Sequence, residues 1–94
     1  MKTLKKIEIK PVYVEFIPEN SDMVYGEIYI SNKFNTSLHL CLCGCNTLSV
    51  TPLNRDGWNL IENKGKITLV PSILNMLCPN KSHYVINDNI AHIL

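Results

Sequence analysis

Two short segments hold every cysteine of this chain: Leu38-His39-Leu40-Cys41-Leu42-Cys43-Gly44-Cys45 and Cys78-Pro79-Asn80-Lys81-Ser82-His83. Thiolates and an imidazole gathered in two places form the soft donor set that zinc selects, and an intracellular Cys3His set is a familiar tetrahedral zinc pattern. Cys41, Cys43 and Cys45 alternate, so all three thiols share a face only if the strand stays regular, and Gly44 argues that it does not. Two of the triplet are then ligands. Cys43 with Cys45, flanking the glycine turn, is slightly preferred to a pair that includes Cys41. Cys78 and His83, with four residues between them, complete the set from a loop able to close around one ion.

The remaining polar side chains offer less. His39 reads as a group beside the metal site or at the surface, and His92 as a surface residue. Ser82 and His83 are neighbours on a strand, point to opposite faces, and cannot form a nucleophile–base pair. Ser72, after Pro71, is a better-placed hydroxyl only if its loop folds over the metal. Trp58, the single tryptophan, is read as core packing. A phosphate-binding glycine loop, an HExxH helix and paired acids are absent from the sequence.

The elements that must position these residues are strands. Pro11 to Pro18 alternates, with Val12, Val14 and Phe16 on one face and Tyr13, Glu15 and Ile17 on the other. Val24 to Ser31 places Val24, Ile28 and Ile30 opposite Tyr25 and Tyr29, with Gly26 a candidate bulge. Asn32 to Ser37 reads as a loop whose Phe34 packs back onto the core. Leu38 to Cys43 follows, with Leu38, Leu40 and Leu42 toward the core and His39, Cys41 and Cys43 on the site face. Leu48 to Val50, Ile67 to Val70, Tyr84 to Ile86 and Ile90 to Leu94 are further strands, and Lys64-Gly65-Lys66 signals a hairpin. Ser72 to Leu77 has room for one helical turn at most. About seven short strands with no helical period predict an all-β chain, a small antiparallel sandwich or open barrel stapled by the Cys/His metal site.

Composition sets the limits. At 94 residues the chain supports one core, so residues 1–94 are expected to form a single zinc-binding β domain in which the metal supplements a small apolar interior. A 46% hydrophobic and 18% charged chain is globular rather than disordered. The net charge of +1 gives no electrostatic reason to expect nucleic acid or an anionic membrane as partner. Lys2, Lys5, Lys6 and Lys10 interleave with Leu4, Ile7 and Ile9 as the solvated face of a strand does. Glu8, Lys10 and Pro11 break any signal-peptide core, so a cytoplasmic location is expected, where reduced thiols favour metal over disulfides.

Beyond these physical readings, an ordered set of motifs carries a resemblance. Val14-Glu15-Phe16-Ile17-Pro18-Glu19, Ile28-Tyr29-Ile30-Ser31, His39-Leu40-Cys41-Leu42-Cys43-Gly44-Cys45, Val50-Thr51-Pro52-Leu53, Gly57-Trp58, Leu69-Val70-Pro71-Ser72-Ile73 and Ser82-His83-Tyr84-Val85-Ile86 resemble a small bacterial and phage family of uncharacterised domains. Its signature is CxCGC, a tryptophan, PSI, then a cysteine shortly before SHY. The resemblance implies a cysteine- and histidine-based metal site. It also implies association with bacterial ubiquitin-like proteins and their activating and conjugating enzymes, members being suspected peptidases of the ubiquitin-like partner. In one respect the chain departs from the pattern: the family's cysteine is expected at Asn80, whereas this sequence offers Cys78.

Whether Cys78 closes the site separates the functional readings. An open zinc carrying a water would make a peptidase that processes the ubiquitin-like protein, with Glu62 and Asp56 the only nearby carboxylates to serve as base. A closed zinc would make a non-catalytic protein-interaction module. Residue chemistry alone prefers the closed module, and the family resemblance pulls toward the peptidase. A Rieske-like electron carrier is a third reading, weakened because only His83 is suitably placed among the ligand loops.

Overall fold

In the computed structural model, which describes residues 5–94, nine strands form two sheets. They are β1 (Lys5–Glu8), β2 (Lys10–Tyr13), β3 (Glu27–Ser31), β4 (Thr36–Leu40), β5 (Leu48–Pro52), β6 (Asn59–Asn63), β7 (Lys66–Leu74), β8 (His83–Asn87) and β9 (Ile90–Ile93). One sheet has the order β1-β9-β8-β7-β6 and the other β2-β3-β4-β5. Lys2 and Leu4, read as part of a lysine-bearing strand face, lie outside the described residues. The all-β expectation holds, with more strands than the sequence pattern resolves and with β2 pairing parallel to β3.

Alternation explains the interior. Ile28 and Ile30 of β3 point across to Ile67, Leu69 and Ile73 of β7, Tyr84 and Ile86 of β8 and Ala91 of β9, forming the main core between the sheets. Tyr29, on the other face of β3, joins Met23 and Leu40 in a second cluster outside the four-stranded sheet, against which Val12, Val14, Ile17, Leu38 and Leu48 pack. Leu38 and Leu40 therefore face this second cluster, and it is His39, fully buried, that faces the main core. Its Nε2 lies 2.6 Å from the Tyr84 hydroxyl, which ties β4 to β8 across the interior.

Several expectations are corrected. The strand expected through Cys43 ends at Leu40, and Leu42 to Cys45 is a turn. Gly26 marks no bulge; with φ +91° it sits in the turn before β3. Phe34 turns outward, 53% exposed, and meets the exposed Phe16 at a ring separation of 5.7 Å, with Lys33 Nζ over both rings. Ser72 to Leu74 belong to β7 rather than to a helical turn. The two tight hairpins, β6–β7 and β8–β9, use residues at positive φ: Lys64 with Gly65, and Asp88 with Asn89.

Candidate functional site

The end of β4 and the turn before β8 meet beneath the β7–β8 pair. Beyond Leu40 the chain curls so that Cys41 N–H bonds to Thr47 O at 2.8 Å and Gly44 N–H to Cys41 O at 3.1 Å, with Gly44 at φ +92°. Because the strand has stopped at Leu40, strand alternation no longer decides where the three thiols point, and the turn sets their directions instead. The second segment is built alike: Cys78 N–H bonds to Asn75 O at 3.1 Å and Lys81 N–H to Cys78 O at 2.9 Å.

These turns bring all four thiols together. Cys78 Sγ is 3.3 Å from both Cys43 Sγ and Cys45 Sγ, Cys41 Sγ is 3.5 Å from Cys43 Sγ, and all four sulfurs lie within 4.8 Å of one another. None is in a disulfide. A tetrahedral zinc with Zn–S bonds of about 2.3 Å separates its sulfurs by about 3.8 Å, so a four-thiolate set fits this spacing. The donor chemistry fits as well. All three cysteines of the triplet reach the cluster and Cys78 completes it from the second segment, while Asn80 presents its side-chain amide to Cys43 Sγ at 3.9 Å.

Cys41, Cys43 and Cys78 are shifted by their surroundings. At Cys43, burial and the adjacent Cys78 and Cys45 thiols push the pKa up to about 12. At Cys78, burial acts upward but is outweighed by the Ser82 backbone amide and by the Cys43 and Cys45 thiols, which bring it down to about 6. Cys41 is also lowered: against burial it receives the Ser82 hydroxyl, whose Oγ is 2.9 Å from its Sγ. Four sulfurs this close cannot all carry charge unless a cation sits among them.

His83 is not part of the thiol cluster. As the first residue of β8 it points to the opposite face from Ser82, and its Nε2 lies 2.7 Å from the Ser72 hydroxyl oxygen. Ser72 was expected to matter only if a loop folded over the metal; instead it is held on a strand. The register explains the meeting. Leu69 pairs with Ile86 and Ile73 with Tyr84, so two extra residues of β7 are accommodated between those rungs, around the cis Val70–Pro71 peptide. An insertion of two preserves parity, leaving Ile73 in the core and Ser72 on the outer face, the face that His83 shares with Leu74, its partner across the ladder. Ser72 and His83 are both half-buried, reachable from solvent on a rigid strand pair.

This pairing is what sequence reasoning missed. The available signals were the PSI and SHY motifs themselves, whose serine and histidine lie eleven residues apart and meet only through the β7–β8 register. The other candidates are occupied elsewhere. Glu62 accepts a hydrogen bond from the Tyr13 hydroxyl, and Asp56 lies exposed in the turn after Asn54. His39, which burial drives down to about 4, is held neutral against Tyr84. Trp58 packs on the main core as expected.

Among the described residues no helix is long and apolar enough to cross a membrane. Neither a curated protein nor a solved structure matches the chain. Residues 13–94, however, match the family described as "Bacterial ubiquitination-like system serine protease (BubE)". With all but its first twelve residues inside that match, the chain belongs to the BubE family of bacterial ubiquitination-like systems.

Proposed function

We propose that residues 1–94 act as one zinc-binding β domain with serine peptidase activity toward the ubiquitin-like protein of its modification system, Ser72 being the nucleophile and His83 the general base. The observation that carries this reading is the 2.7 Å contact between His83 Nε2 and Ser72 Oγ on a solvent-accessible strand face. It moves the chemistry away from the thiols, where an open zinc was the alternative. Four sulfurs within 4.8 Å make a closed ligand set, and closed four-cysteine sites are structural.

In this mechanism His83 is neutral with its proton on Nδ1, so that Nε2 accepts from the Ser72 hydroxyl. As the Ser72 oxygen attacks the scissile carbonyl, a C–O bond forms and the hydroxyl proton passes to His83 Nε2. The C–N bond then breaks and His83 delivers that proton to the departing amine. Water enters and His83 removes its proton as the water oxygen bonds to the acyl carbon; the ester C–O bond then breaks and His83 returns that proton to the Ser72 oxygen, freeing the acid and restoring Ser72. Cys41, Cys43, Cys45 and Cys78 would hold the zinc, which would serve as a structural staple between the β4–β5 turn and the β7–β8 turn. The residue just before His83 contacts that staple through Ser82 Oγ and Cys41 Sγ, so the staple steadies the start of β8 and with it the imidazole.

Incubation of the zinc-loaded protein with a ubiquitin-like precursor from the same system tests the reading. Cleavage lost in both Ser72→Ala and His83→Gln, with zinc content unchanged, is the expected result. Cleavage that survives Ser72→Ala would overturn it. A non-catalytic adaptor would show neither cleavage nor reaction of Ser72 with an organophosphonate. A Rieske-like carrier gains nothing from the geometry, because the imidazoles of His39 and His83 are engaged by Tyr84 and Ser72.

A further inference from the structure

β6 pairs with β7 only from Asn63 opposite Lys66 to Asn59 opposite Val70. There the chain leaves: Trp58 N–H bonds to Pro52 O at 2.8 Å, toward β5. The second half of β7, Pro71 to Leu74, thus has β8 on one side and, among the described residues, no strand on the other. Ser72 lies on this unpaired edge.

The ladder shows which backbone groups the edge offers. Asn75 N–H bonds to Ser82 O at 3.0 Å, which makes Asn75 and Ser82 a hydrogen-bonded pair. Bonded and non-bonded pairs alternate along an antiparallel ladder, so Ile73 bonds to Tyr84 while Leu74 opposite His83 does not. His83 bears this out, since its carbonyl accepts from Leu94 N–H at 2.8 Å on the far side, in the β9 direction. The N–H and C=O of Leu74 consequently point away from β8, into the plane where β6 has ended. The side chains just past the edge are apolar and exposed: Leu74 at 48%, Met76 at 62% and Leu77 at 71%.

We infer that this edge is the substrate-binding subsite, taking an extended peptide segment as an added strand that bonds to the Leu74 backbone and lays an apolar side chain on Leu74, Met76 and Leu77. This rests on the assignment of Ser72 as nucleophile and adds the shape of what is cut: an unfolded, apolar tail rather than a folded surface. An added strand in the sheet plane runs directly past Ser72, which is where a scissile carbonyl must come. The apolar trio lies toward the C-terminal end of β7, so it reads residues to one side of the cut.

Two probes separate the subsite from the nucleophile. A simple alkyl fluorophosphonate reports on Ser72 and His83 alone, whereas tetrapeptidyl diphenyl phosphonates bearing leucine or aspartate at each position also engage the edge. Leucine-bearing peptidyl probes are expected to inactivate the wild-type protein at least tenfold faster than their aspartate counterparts at one position. N-methylation of one probe amide is expected to remove roughly tenfold, the size of one or two main-chain hydrogen bonds. Leu74→Pro deletes the free N–H without touching the bond between Ile73 and Tyr84, and is expected to abolish the ratio of peptidyl to alkyl inactivation rate. Leu74→Ala separates side chain from backbone and should keep sensitivity to N-methylation. A peptidyl advantage unaffected by N-methylation at any amide would overturn the inference even if Leu74→Pro misfolds. Failure of the alkyl probe to label Ser72 would overturn the nucleophile assignment, and the subsite with it.

Discussion

Tyr84→Phe is a deletion of one oxygen whose cost can be worked from the structure. The Tyr84 hydroxyl lies 2.6 Å from His39 Nε2, and both residues have no exposed surface. The other imidazole nitrogen, Nδ1, is already buried without a partner. Removing the hydroxyl leaves both ring nitrogens unpaired with no route to water, and an unsatisfied buried polar group costs about 1–3 kcal/mol. With both nitrogens of one buried ring orphaned, the upper part of that range applies, and we expect a loss of about 2–3 kcal/mol. For a chain of this length that lowers Tm by about 10 °C or more. Chemical denaturation of the zinc-loaded protein, followed by Trp58 fluorescence, gives the number. A cycle with His39→Leu sharpens it: the double variant should lose less than the sum of the singles by about 1 kcal/mol or more, since replacing both partners leaves no orphaned nitrogen. A Tyr84→Phe variant within about 0.5 kcal/mol of wild type, or strict additivity, would refute this account of the interior.

Other perturbations follow from the same geometry. Cys43→Ala or Cys78→Ala removes a member of the four-sulfur cluster and should release zinc and leave the chain unfolded at 37 °C, because structural zinc binding, about 10–16 kcal/mol, equals or exceeds the stability of a small domain; elemental analysis and circular dichroism check this. Gly57→Ala should destabilise by about 1–3 kcal/mol, since a Cβ there would lie 2.3 Å from the Pro52 carbonyl oxygen, and a thermal melt decides it. Burial, then the Glu62 carboxylate, raise Tyr13 to about 12. With the folded value above the usual 10, this stabilisation is complete below pH 10 and is lost as pH climbs from 10 toward 12. Burial raises Tyr25, Tyr29 and Tyr84 as well, so in an ultraviolet titration Glu62→Gln should move down one of several late tyrosine steps and leave the others in place.

What the sequence makes legible is local. Period-two alternation identifies the inward residues of β3, and the Lys64-Gly65 turn marks the β6–β7 hairpin. The confinement of the cysteines to two segments foretells their meeting. Opposite faces for Ser82 and His83 are legible too: one touches Cys41, the other Ser72. The illegible parts depend on events far along the chain. Whether all three thiols of Cys41-Leu42-Cys43-Gly44-Cys45 converge depends on the strand ending at Leu40, and nothing in an alternating apolar run announces that. His39 looks like a surface group until Tyr84 arrives from another sheet. The Ser72–His83 contact requires two extra residues in β7 between Leu69 and Ile73, a register fact that no local pattern encodes. Asn59 to Asn63, whose residues are mostly exposed, lacks the alternation by which strands are recognised.

The most direct measurement is mass spectrometry of the zinc-loaded protein after treatment with an alkyl fluorophosphonate. A single adduct on Ser72, absent in His83→Gln and formed without loss of zinc, is the predicted result. An adduct on another residue, or an unmodified Ser72 in a preparation that cleaves its ubiquitin-like substrate, would contradict the assignment of Ser72 and His83 as the reacting pair.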